Sequence, residues 1–553
     1  MCFGHSAAAV RPLLWTLGAA LAASGVLADQ DVAVTADLAK DLIRDQRESS
    51  SAPDLGYAGS MLELGPAVAD WIFVKDRRRS AEILRAGGAR LVKEWNANGN
   101  WEKGLAPGSR FPNPDAWFSF RQEEGMKVLL CLECRSAPAD PAKGARTTDI
   151  AVVKRSILAY LKWIIDHGYK GQVAGFELGN EPYFGTDAED YAARWAEIVP
   201  EMKKLWPDAK IGFSVAEYRA GDPDIAAVRR RFTDVDKWFD GPDSEFGFRR
   251  INQWSGRFVQ AFSNHLHLTS HVVYHFYGAD GPYGCSPTGF GRARGFASIF
   301  PEVKDKRIWI TEWRERSDED NRCHQKFTSA MWKAHYLLAV LAQPDIDGIC
   351  NHCIGSLSGG FAVSDGREWI VQWDSAGRNY PDLDGVGHPH FELGPSGRLF
   401  GLYTAALEKH PLILRHGTDR PLKGPGDDGL NAIQYYTNGN YQPPDGGYGA
   451  LEWIVLANPE KTSVAVLFAN SRHQAIPVRL DLGEGVTFGR KAVRSVRCRP
   501  DRIYKRVIPG EPKPWTYSEE TLDPSADGSC AWSVPPDGFS TLVVTCTGKA
   551  GRK

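Results

Sequence analysis

The chain has 553 residues, of which 42% are hydrophobic and 11% are aromatic. This apolar content is sufficient for a large buried core and excludes a disordered, collagen-like or fibrous protein. The 66 lysines and arginines stand against 68 aspartates and glutamates, so the formal net charge is −2. Because there is no basic excess to neutralise a phosphate backbone, we do not expect nucleic acid as the main partner. The length predicts two domains, one of them large.

The first 28 residues have the features of a secretory signal peptide. Arg11 supplies a positive charge, residues 13–27 form a mostly apolar run, and residues 26–28 resemble a small-residue cleavage site. The run is short and is interrupted by Gly18 and Ser24, so a membrane anchor is the weaker interpretation. We therefore expect a secreted or periplasmic protein with no membrane partner once this signal has been removed.

Between about residues 56 and 410 the sequence repeats one pattern, an apolar β-branched run followed by a helical stretch. Eight such runs occur in chain order: 57–64, 89–95, 126–133, 173–181, 209–217, 270–277, 307–313 and 347–353. Alternating strands and helices of this kind form parallel sheets. The eight units predict an α/β fold of the (β/α)8 type, a TIM barrel.

One intervening helix is predicted over residues 187–205. Its apolar residues, among them Tyr191, Trp195 and Met202, fall at helical spacing and are expected to form a packing surface. The helix should end before Pro207, where the next strand must begin.

After a candidate helix around residues 397–409 the pattern changes to short alternating strands separated by Gly, Pro and Asn. This change predicts an antiparallel β-sandwich domain over residues 411–553, following a barrel domain over 56–410. The segment 29–55 precedes the barrel and could add a strand to that sandwich.

Two C-x-x-C pairs, Cys131 with Cys134 and Cys350 with Cys353, resemble the spacing of zinc ligands. Each pair lies in an apolar run typical of a buried strand, where successive side chains face opposite sides. Buried structural thiols are therefore the favoured interpretation. The histidines between residues 265 and 275 lack a matching carboxylate pattern, so we expect neither a metal nor a cofactor.

The reactive groups of a parallel barrel come from the C-terminal ends of its strands. Glu181 closes the fourth run in GFELGNEP, and Glu312 closes the seventh in RIWITEW. Cleavage of a glycosidic bond needs a proton donor at the leaving oxygen and an opposing carboxylate. If Glu181 lies in the less polar environment, its raised pKa keeps it protonated, while a hydrogen-bonded Glu312 stays ionised. Glu177 lies deeper on the same strand face and is expected to be structural.

Polar neighbours of these two carboxylates are candidate binding residues. Asn180 could donate a hydrogen bond to a sugar hydroxyl near the reacting carbon. His275 and Tyr277 end the sixth run on one face and could orient Glu312 from the neighbouring strand. A non-catalytic carbohydrate-binding protein is the alternative from another functional class, and the presence of both carboxylates disfavours it.

The same motifs resemble those of the (β/α)8 glycoside hydrolases of clan A. GNEP at 179–182 matches the Asn-Glu pair that ends strand four in that superfamily, and ITEW at 310–313 matches its nucleophile. HFY at 275–277 resembles its strand-six His-x-Tyr. Within the clan, the group containing heparanase, β-glucuronidases, β-xylosidases and α-L-arabinofuranosidases looks most similar. The resemblance implies a retaining enzyme acting on carbohydrate, with Glu181 as acid/base and Glu312 as nucleophile.

Further residues at the strand ends are assigned to substrate binding. The end of the second run offers Lys93, Glu94 and Trp95, and Trp313 follows the second carboxylate in ITEW. Cations recur at or just beyond the strand ends: Lys93, Arg135, Arg219, Arg314 and Arg316. Because an arginine fork binds carboxylate or sulfate oxygens in bidentate fashion, one interpretation is an anionic substrate, a uronic acid or a sulfated sugar.

The alternative for these cations is internal pairing. Acidic residues lie within two positions of them: Glu94, Glu133, Glu217 and Glu315. Salt bridges inside the protein would explain the cations equally well. The substrate would then be neutral, as for a xylosidase-like enzyme or an endo-hydrolase of algal polysaccharides.

Two further cysteines lie in the loops after the sixth and seventh runs. Cys285 and Cys323 would therefore stand on neighbouring loops above the mouth of the predicted barrel. We expect a disulfide between them that holds both loops against the site, with a contribution to stability of about 3–4 kcal/mol. Two buried thiols are the alternative.

Overall fold

The computed structural model describes residues 31–45, 54–58, 85–105, 113–123, 125–140, 145–184, 186–215, 254–278, 301–315, 327–352, 362–364, 391–419, 451–499, 512–523 and 529–548. The predicted signal peptide lies outside these ranges. Within them, no helix combines the length and the apolar character needed to cross a membrane.

Strands predominate among the described elements. In chain order they are β1 (Val32–Thr35), β2 (Arg44–Asp45), β3 (Asp54–Ala58), β4 (Leu91–Glu94), β5 (Lys127–Leu132), β6 (Ala137–Asp140), β7 (Ala145–Thr147), β8 (Val173–Leu178), β9 (Ile211–Val215), β10 (His271–Gly278), β11 (Arg307–Glu315), β12 (Ile346–His352), β13 (Ala362–Ser364), β14 (Phe391–Leu393), β15 (Leu412–Thr418), β16 (Leu451–Ala457), β17 (Ser463–Asn470), β18 (Ile476–Asp481), β19 (Val486–Cys498), β20 (Trp515–Leu522), β21 (Cys530–Val534) and β22 (Gly538–Gly548). The α-helices are α1 (Ala97–Leu105), α2 (Pro114–Glu123), α3 (Ile150–Asp166), α4 (Ala188–Leu205), α5 (Phe327–Leu341) and α6 (Pro395–Lys409).

A set of parallel strands closes into an eight-stranded barrel. Around the barrel the strands follow the order of the chain: β3, β4, β5, β8, β9, β10, β11 and β12. The last of them, β12, pairs in parallel with β3 and completes the ring. Each of the apolar runs identified in the sequence overlaps one of these strands, and the predicted (β/α)8 fold is confirmed.

The first barrel strand differs most from its predicted position. It begins at Asp54 and ends at Ala58, whereas the apolar run was placed at residues 57–64. The strand pairs with β12 along its whole length. Its sequence, DLGYA, has a charged start and a glycine at its centre, and hydrophobic periodicity therefore gave a start that is too late.

One indole fills the lower interior of the barrel, at the N-terminal ends of the strands. The ring belongs to Trp309 of β11, and His271 stacks on it with 3.7 Å between ring centroids. A Cβ atom at Gly175 or Gly212 would collide with the same indole, so glycine is required at both positions. The apolar side chains packed around it are Leu91, Leu129, Val273 and Cys350. These side chains form one packed layer of the barrel interior.

Helix α4 shows how the intervening helices are specified. The side chain of Asp187 accepts hydrogen bonds from the backbone N–H groups of Glu189 and Asp190 and caps the helix. The predicted packing surface is buried, and it comprises Ala188, Tyr191, Ala192, Trp195, Ile198, Val199 and Met202. The predicted range 187–205 agrees with the observed helix.

The C-terminal residues form the predicted antiparallel sandwich. One sheet has seven strands in the order β2-β15-β16-β17-β22-β19-β20, and the other has the order β1-β18-β21. Apolar side chains from both sheets form one core, among them Val455, Val466, Val478, Leu480 and Val544. The N-terminal segment supplies one strand to each sheet, because β1 pairs in parallel with β18 and β2 pairs with β15.

The sandwich packs against helices α5 and α6 of the barrel. Tyr403 Oη on α6 donates to the carbonyl of Phe468 on β17 at 2.8 Å. At the same interface, His335 Nδ1 lies 2.8 Å from Glu452 Oε2, and His416 Nε2 lies 2.6 Å from Oε1. Burial raises the pKa of Glu452, but its hydrogen bonds to these two histidines lower it to about 2. A buried, ionised carboxylate thus ties the sandwich to the barrel.

The described cysteines of the two C-x-x-C pairs are buried. Burial raises the pKa of the Cys131 and Cys134 thiols well above the ordinary value. Cys134 packs among apolar residues around the barrel and Cys350 among those of its interior, which agrees with the structural interpretation. Cys353 lies outside the described residues, as do Cys285 and Cys323, and the disulfide between the latter two stays a prediction.

Candidate active site

Polar side chains from four strand ends meet in the mouth of the barrel. We call them the mouth cluster, and its members are Lys93, Trp95, Glu177, Asn180, Glu181, His275, Thr311 and Glu312. All of them come from β4, β8, β10 and β11 or from the residues directly after these strands. The structure thus brings together six residues that the sequence assigned to the site: Lys93, Trp95, Asn180, Glu181, His275 and Glu312.

The backbone turns sharply after β8 and presents Asn180 and Glu181 to the mouth. Gly179 has a φ of +72°, and Glu181 has a φ of +43°, in the left-handed region that is unfavourable for residues other than glycine. A Cβ atom at Gly179 would collide with the hydroxyl of Tyr191, which donates to the carbonyl of Leu178 at 3.1 Å. Backbone strain of this kind concentrates at functional sites, where the surrounding structure maintains it.

A bulge in β11 sets the position of Glu312. Tyr274 pairs with Ile310, but the next residue of β10, His275, pairs with Glu312, so Thr311 is an additional residue in the strand. Bulges re-aim side chains and are frequent next to active sites. Here Thr311 Oγ1 lies 3.0 Å from His275 Nε2, and the carboxylate of Glu312 also faces the mouth cluster.

Glu312 is held by two donors on one oxygen. Lys93 Nζ lies 3.0 Å from Oε1, and Trp95 Nε1 donates to the same atom at 2.9 Å. Only 3% of the Glu312 side chain is exposed. A nearby ammonium and an indole N–H both favour the ionised form of a carboxylate. The environment of Glu312 therefore suits an anion.

Glu181 lies nearer to the opening of the barrel. Tyr183 Oη donates to Oε1 at 3.2 Å, and His275 Nδ1 lies 3.0 Å from the same oxygen. Burial raises the pKa of Tyr183 well above its ordinary value, so the phenol remains a donor. The Glu181 side chain is 26% exposed. Glu181 is therefore the less buried of the two carboxylates, whereas Glu312 is buried and bound by an ammonium.

The two carboxylates face each other with His275 between them. His275 Nδ1 lies 3.0 Å from Glu181 Oε1 and 3.4 Å from Glu312 Oε2. One carboxylate oxygen of each residue and a ring nitrogen of His275 all lie within 4.8 Å of one another. Retaining glycosidases separate their carboxyl groups by about 5–5.5 Å and inverting ones by about 6.5–9.5 Å. The distance between the oxygens of Glu181 and Glu312 is therefore closer to the spacing of retaining enzymes than to that of inverting ones.

The same three side chains offer ligand atoms that suit a divalent metal. The ammonium of Lys93, however, lies 3.0 Å from Glu312 and already neutralises that carboxylate. A divalent ion would meet this buried positive charge at close range, which is unfavourable. The mouth cluster therefore fits proton transfer better than metal binding.

Lys93 is a buried cation at the centre of the cluster. Its ammonium has three protons and five polar atoms within 3.3 Å: Glu177 Oε1 at 3.0 Å, Asn180 Oδ1 at 2.8 Å, Glu312 Oε1 at 3.0 Å, His275 Nε2 at 3.1 Å and Thr311 Oγ1 at 3.3 Å. Burial lowers the pKa of Lys93, but Glu177 and Glu312 raise it more, so the net pKa lies above the ordinary value. Glu177 is thus the structural carboxylate that the sequence predicted.

His275 is the second basic side chain of the cluster. Burial lowers the pKa of His275, and Lys93 lowers it further, but Glu312, Glu177 and Glu181 together raise it to about 9. Its Nδ1 lies 3.0 Å from Glu181 Oε1. Its Nε2 lies 3.0 Å from Thr311 Oγ1 and 3.1 Å from Lys93 Nζ.

The raised pKa of His275 predicts a pH dependence of stability. Its stabilising contribution is fully present below the unfolded pKa of 6.5 and is lost as the pH rises through about 9. We therefore expect the free energy of unfolding to fall over this interval, and His275→Gln should remove this part of the loss. Denaturant unfolding at a series of pH values measures both.

His271, another buried histidine of β10, provides the matched control. Burial lowers the pKa of His271 although Asp347 opposes the shift, so its contribution is lost as the pH falls below 6.5. His271→Gln should leave the change between pH 6.5 and 9 intact. An unaltered slope in His275→Gln would contradict the assignment of this change to His275.

Two residues assigned to substrate binding lie outside the mouth. Trp313 has no exposed surface and stacks on a tyrosine of α5, with 4.5 Å between ring centroids. Glu94 is buried against α1, where Asn100 Nδ2 donates to it at 2.7 Å. Because successive side chains of a strand point to opposite faces, the neighbours of the inward-facing Glu312 and Lys93 point outward. Both are packing residues, and their assignment to substrate binding is wrong.

Arg135 is an exposed residue paired within the protein. Its Nε lies 2.9 Å from Glu133 Oε1 and 2.8 Å from Oε2, as the salt-bridge alternative predicted. Arg219 and Arg316 lie outside the described residues. Tyr277 and Arg314 are part of β10 and β11, but their side chains are not among those described.

Two residues of the site were missed by the sequence analysis. Tyr183 donates to Glu181, and Thr311 contacts both His275 and Lys93. A tyrosine two positions after a candidate acid was an available signal. The position of Thr311 depends on the bulge in β11, and strand alternation alone does not predict a bulge.

A scan against known protein families found no match, and a search of curated proteins found none either. Solved structures do match. One is an α-L-arabinofuranosidase from Thermotoga maritima in complex with arabinose, with 14% identity, coverage of 93% of this chain and 99% of that chain, and a TM-score of 0.55. Another is a thermostable GH51 α-L-arabinofuranosidase from Thermotoga petrophila, with 14% identity, 92% and 99% coverage, and a TM-score of 0.56.

A glucosidase from Croceicoccus marinus also matches, with 13% identity, coverage of 94% of this chain and 99% of that chain, and a TM-score of 0.53. At this level of identity the similarity shows a shared fold. It extends over the barrel and the sandwich together, because nearly the whole of each chain is covered. The fold implied by the resemblance to the clan A glycoside hydrolases is therefore confirmed.

Proposed function

We propose that the protein is a retaining glycoside hydrolase that cleaves glycosidic bonds by double displacement. The observation that carries this proposal is the pair Glu181 and Glu312, which face each other with oxygens within 4.8 Å. Their surroundings differ as the two roles require. Glu312 is buried and bound by Lys93, whereas Glu181 lies at the opening, where it can reach a leaving group.

In the first step, Glu181 donates its proton to the glycosidic oxygen while Glu312 attacks the anomeric carbon. The bond between that carbon and the leaving oxygen breaks, and an ester forms between the sugar and Glu312. Tyr183 and His275 both contact Glu181 Oε1 and hold the carboxyl in place. Asn180 Oδ1 lies 2.8 Å from Lys93 Nζ, and the NH2 group of its amide can donate to the hydroxyl next to the reacting carbon.

In the second step, Glu181 acts as a base. It takes a proton from a water molecule, whose oxygen attacks the anomeric carbon and releases the carboxylate of Glu312. Two inversions at the same carbon give a product with the configuration of the substrate. Glu181 is protonated again and ready for the next cycle.

The charges of the mouth cluster support this division of roles. Before the reaction Glu181 is protonated and Glu312 is ionised. In the ester intermediate Glu312 is uncharged and Glu181 is ionised, so the net charge of the cluster is the same in both states. In a buried site this matters, because an uncompensated charge in low dielectric is costly.

A neutral sugar is the substrate class that the described residues favour. Lys93 forms ion pairs with Glu177 and Glu312, and Arg135 forms an ion pair with Glu133. These two cations are therefore neutralised inside the protein. The solved structures of similar fold are named as arabinofuranosidases and a glucosidase, which agrees with a neutral sugar.

Hydrolysis of a panel of aryl glycosides tests the proposal. We expect turnover of an α-L-arabinofuranoside, a β-D-xyloside or a β-D-glucoside, and NMR of the first product formed should show retained configuration. A better kcat/KM on a glucuronide or a sulfated sugar would favour the anionic alternative. Inverted product would end the retaining assignment. Binding of sugars without any turnover would favour a carbohydrate-binding protein.

Export is part of the proposal, supported by the features of residues 1–28. Mass spectrometry of the protein recovered from the medium or periplasm of an expression host should find a chain that begins at Asp29. An uncleaved N-terminus in the cytoplasm would contradict it.

A further inference from the structure

We propose that Lys93 is a positioning residue that sets two parts of the reaction at once. By binding Oε1 of Glu312 it leaves Oε2 as the attacking oxygen. It also orients the amide of Asn180 so that the NH2 group donates to the 2-hydroxyl of the sugar. This inference rests on the proposed glycosidase function. In this role the buried lysine couples the position of the nucleophile, Glu312, to the recognition of one substrate hydroxyl by Asn180.

The choice of the attacking oxygen follows from the donors on Oε1. Lys93 Nζ lies 3.0 Å and Trp95 Nε1 lies 2.9 Å from that atom. A carboxylate oxygen has two lone-pair positions, so these two donors engage Oε1 fully. Oε2 is the oxygen of Glu312 that lies 3.4 Å from His275 Nδ1, on the side of Glu181. The attack therefore comes from Oε2.

The orientation of Asn180 follows from the chemistry of an ammonium group. Lys93 can only donate, so the amide atom 2.8 Å from its Nζ must be the oxygen Oδ1. The NH2 group of Asn180 is then directed away from Lys93 and can donate to a sugar hydroxyl. With the amide reversed, two donors would face each other.

Glu177 keeps Lys93 in place. It has no exposed surface, and its Oε1 lies 3.0 Å from Lys93 Nζ. Breaking a buried pair by removing one partner is strongly destabilising, whereas removal of both partners is tolerated much better. This asymmetry allows the effect of Lys93 on stability to be separated from its effect on the reaction.

The test compares Lys93→Met, Glu177→Gln and the double variant with the unmodified protein. Methionine has a length similar to lysine but provides no donor. We expect Lys93→Met to lower the denaturation midpoint and the double variant to regain most of the loss. The kcat of the double variant should nevertheless stay at least about 100-fold below that of the unmodified protein, because Glu312 lacks its anchoring ammonium.

A pair of substrates that differ only at the 2-hydroxyl reports on Asn180. In each protein we compare kcat/KM for an aryl glycoside and its 2-deoxy analogue, so the intrinsic reactivity of the analogue cancels between proteins. We expect the preference for the 2-hydroxyl to be about tenfold smaller in the double variant than in the unmodified protein. Asn180→Ala should show a similar reduction, and adding it to the double variant should change the preference little further.

The outcomes separate the inference from the function on which it rests. Recovery of both stability and kcat in the double variant would make Lys93 purely structural and would overturn the inference. A lower kcat with an unchanged 2-hydroxyl preference would overturn the link to Asn180. A folded, unmodified protein that hydrolyses no glycoside would overturn the proposed function and this inference together.

Discussion

Replacement of Glu312 by alanine should lower kcat by about 10⁴- to 10⁶-fold for every substrate. Without this carboxylate the ester intermediate cannot form, so neither step of the double displacement can occur. The loss should be the same for good and poor leaving groups, because the missing group acts on the anomeric carbon and not on the leaving oxygen. Steady-state kinetics on aryl glycosides with leaving groups of graded acidity measure this independence.

Two controls make the assignment to Glu312 specific. Glu133 follows β5 at the same end of the barrel but pairs with Arg135, so Glu133→Ala should retain nearly full activity. A 2-deoxy-2-fluoro glycoside with a good leaving group should form a stable ester, and peptide mass spectrometry should locate it on Glu312. A label on another residue, or substantial activity in Glu312→Ala, would contradict the role of nucleophile.

Much of the fold follows from the sequence because it depends on periodicity. Most barrel strands are apolar runs bounded by polar residues, and the closure of eight parallel strands brings all their C-terminal ends to one rim. Glu181 and Glu312 are far apart in the chain, yet their positions at two strand ends were sufficient to predict that they share a site. In a closed parallel barrel, the position of a residue along its strand determines whether it lies at the C-terminal rim.

The details of the site are less well predicted from the sequence, because they depend on local departures from regular strand geometry. Strict alternation cannot explain how both Thr311 and Glu312 reach the mouth cluster, and the bulge between β10 and β11 provides the explanation. Alternation does explain two errors. Glu94 and Trp313 adjoin inward-facing residues and therefore point outward, so their closeness in sequence to the site was misleading.

The partner of a buried charge is also difficult to predict. Lys93 was assigned to substrate binding, but its ammonium is taken up within the protein by Glu177 and Glu312, residues distant in sequence. Arg135, by contrast, pairs with Glu133, two positions away. Charge patterns predict local pairs of this kind, whereas a pair across the barrel requires the three-dimensional arrangement.

Replacement of Glu181 by alanine should have an effect that depends on the leaving group. For substrates whose leaving group needs a proton, kcat should fall by about 10²- to 10⁴-fold, because general acid catalysis is lost. For an activated aryl glycoside the first step should continue, and the second step should become rate-limiting because water no longer has a base. The ester would then accumulate, so both kcat and KM should fall for this substrate.

Azide distinguishes Glu181 from Glu312 within one experiment. Azide needs no base, so it should accelerate the second step in Glu181→Ala and give a glycosyl azide with the configuration of the substrate. In Glu312→Ala azide would replace the missing carboxylate by direct attack and give the opposite configuration. The two variants thus differ in the stereochemistry of one product, which NMR reads directly. If the configurations were exchanged between the variants, the roles of the two residues would be exchanged as well.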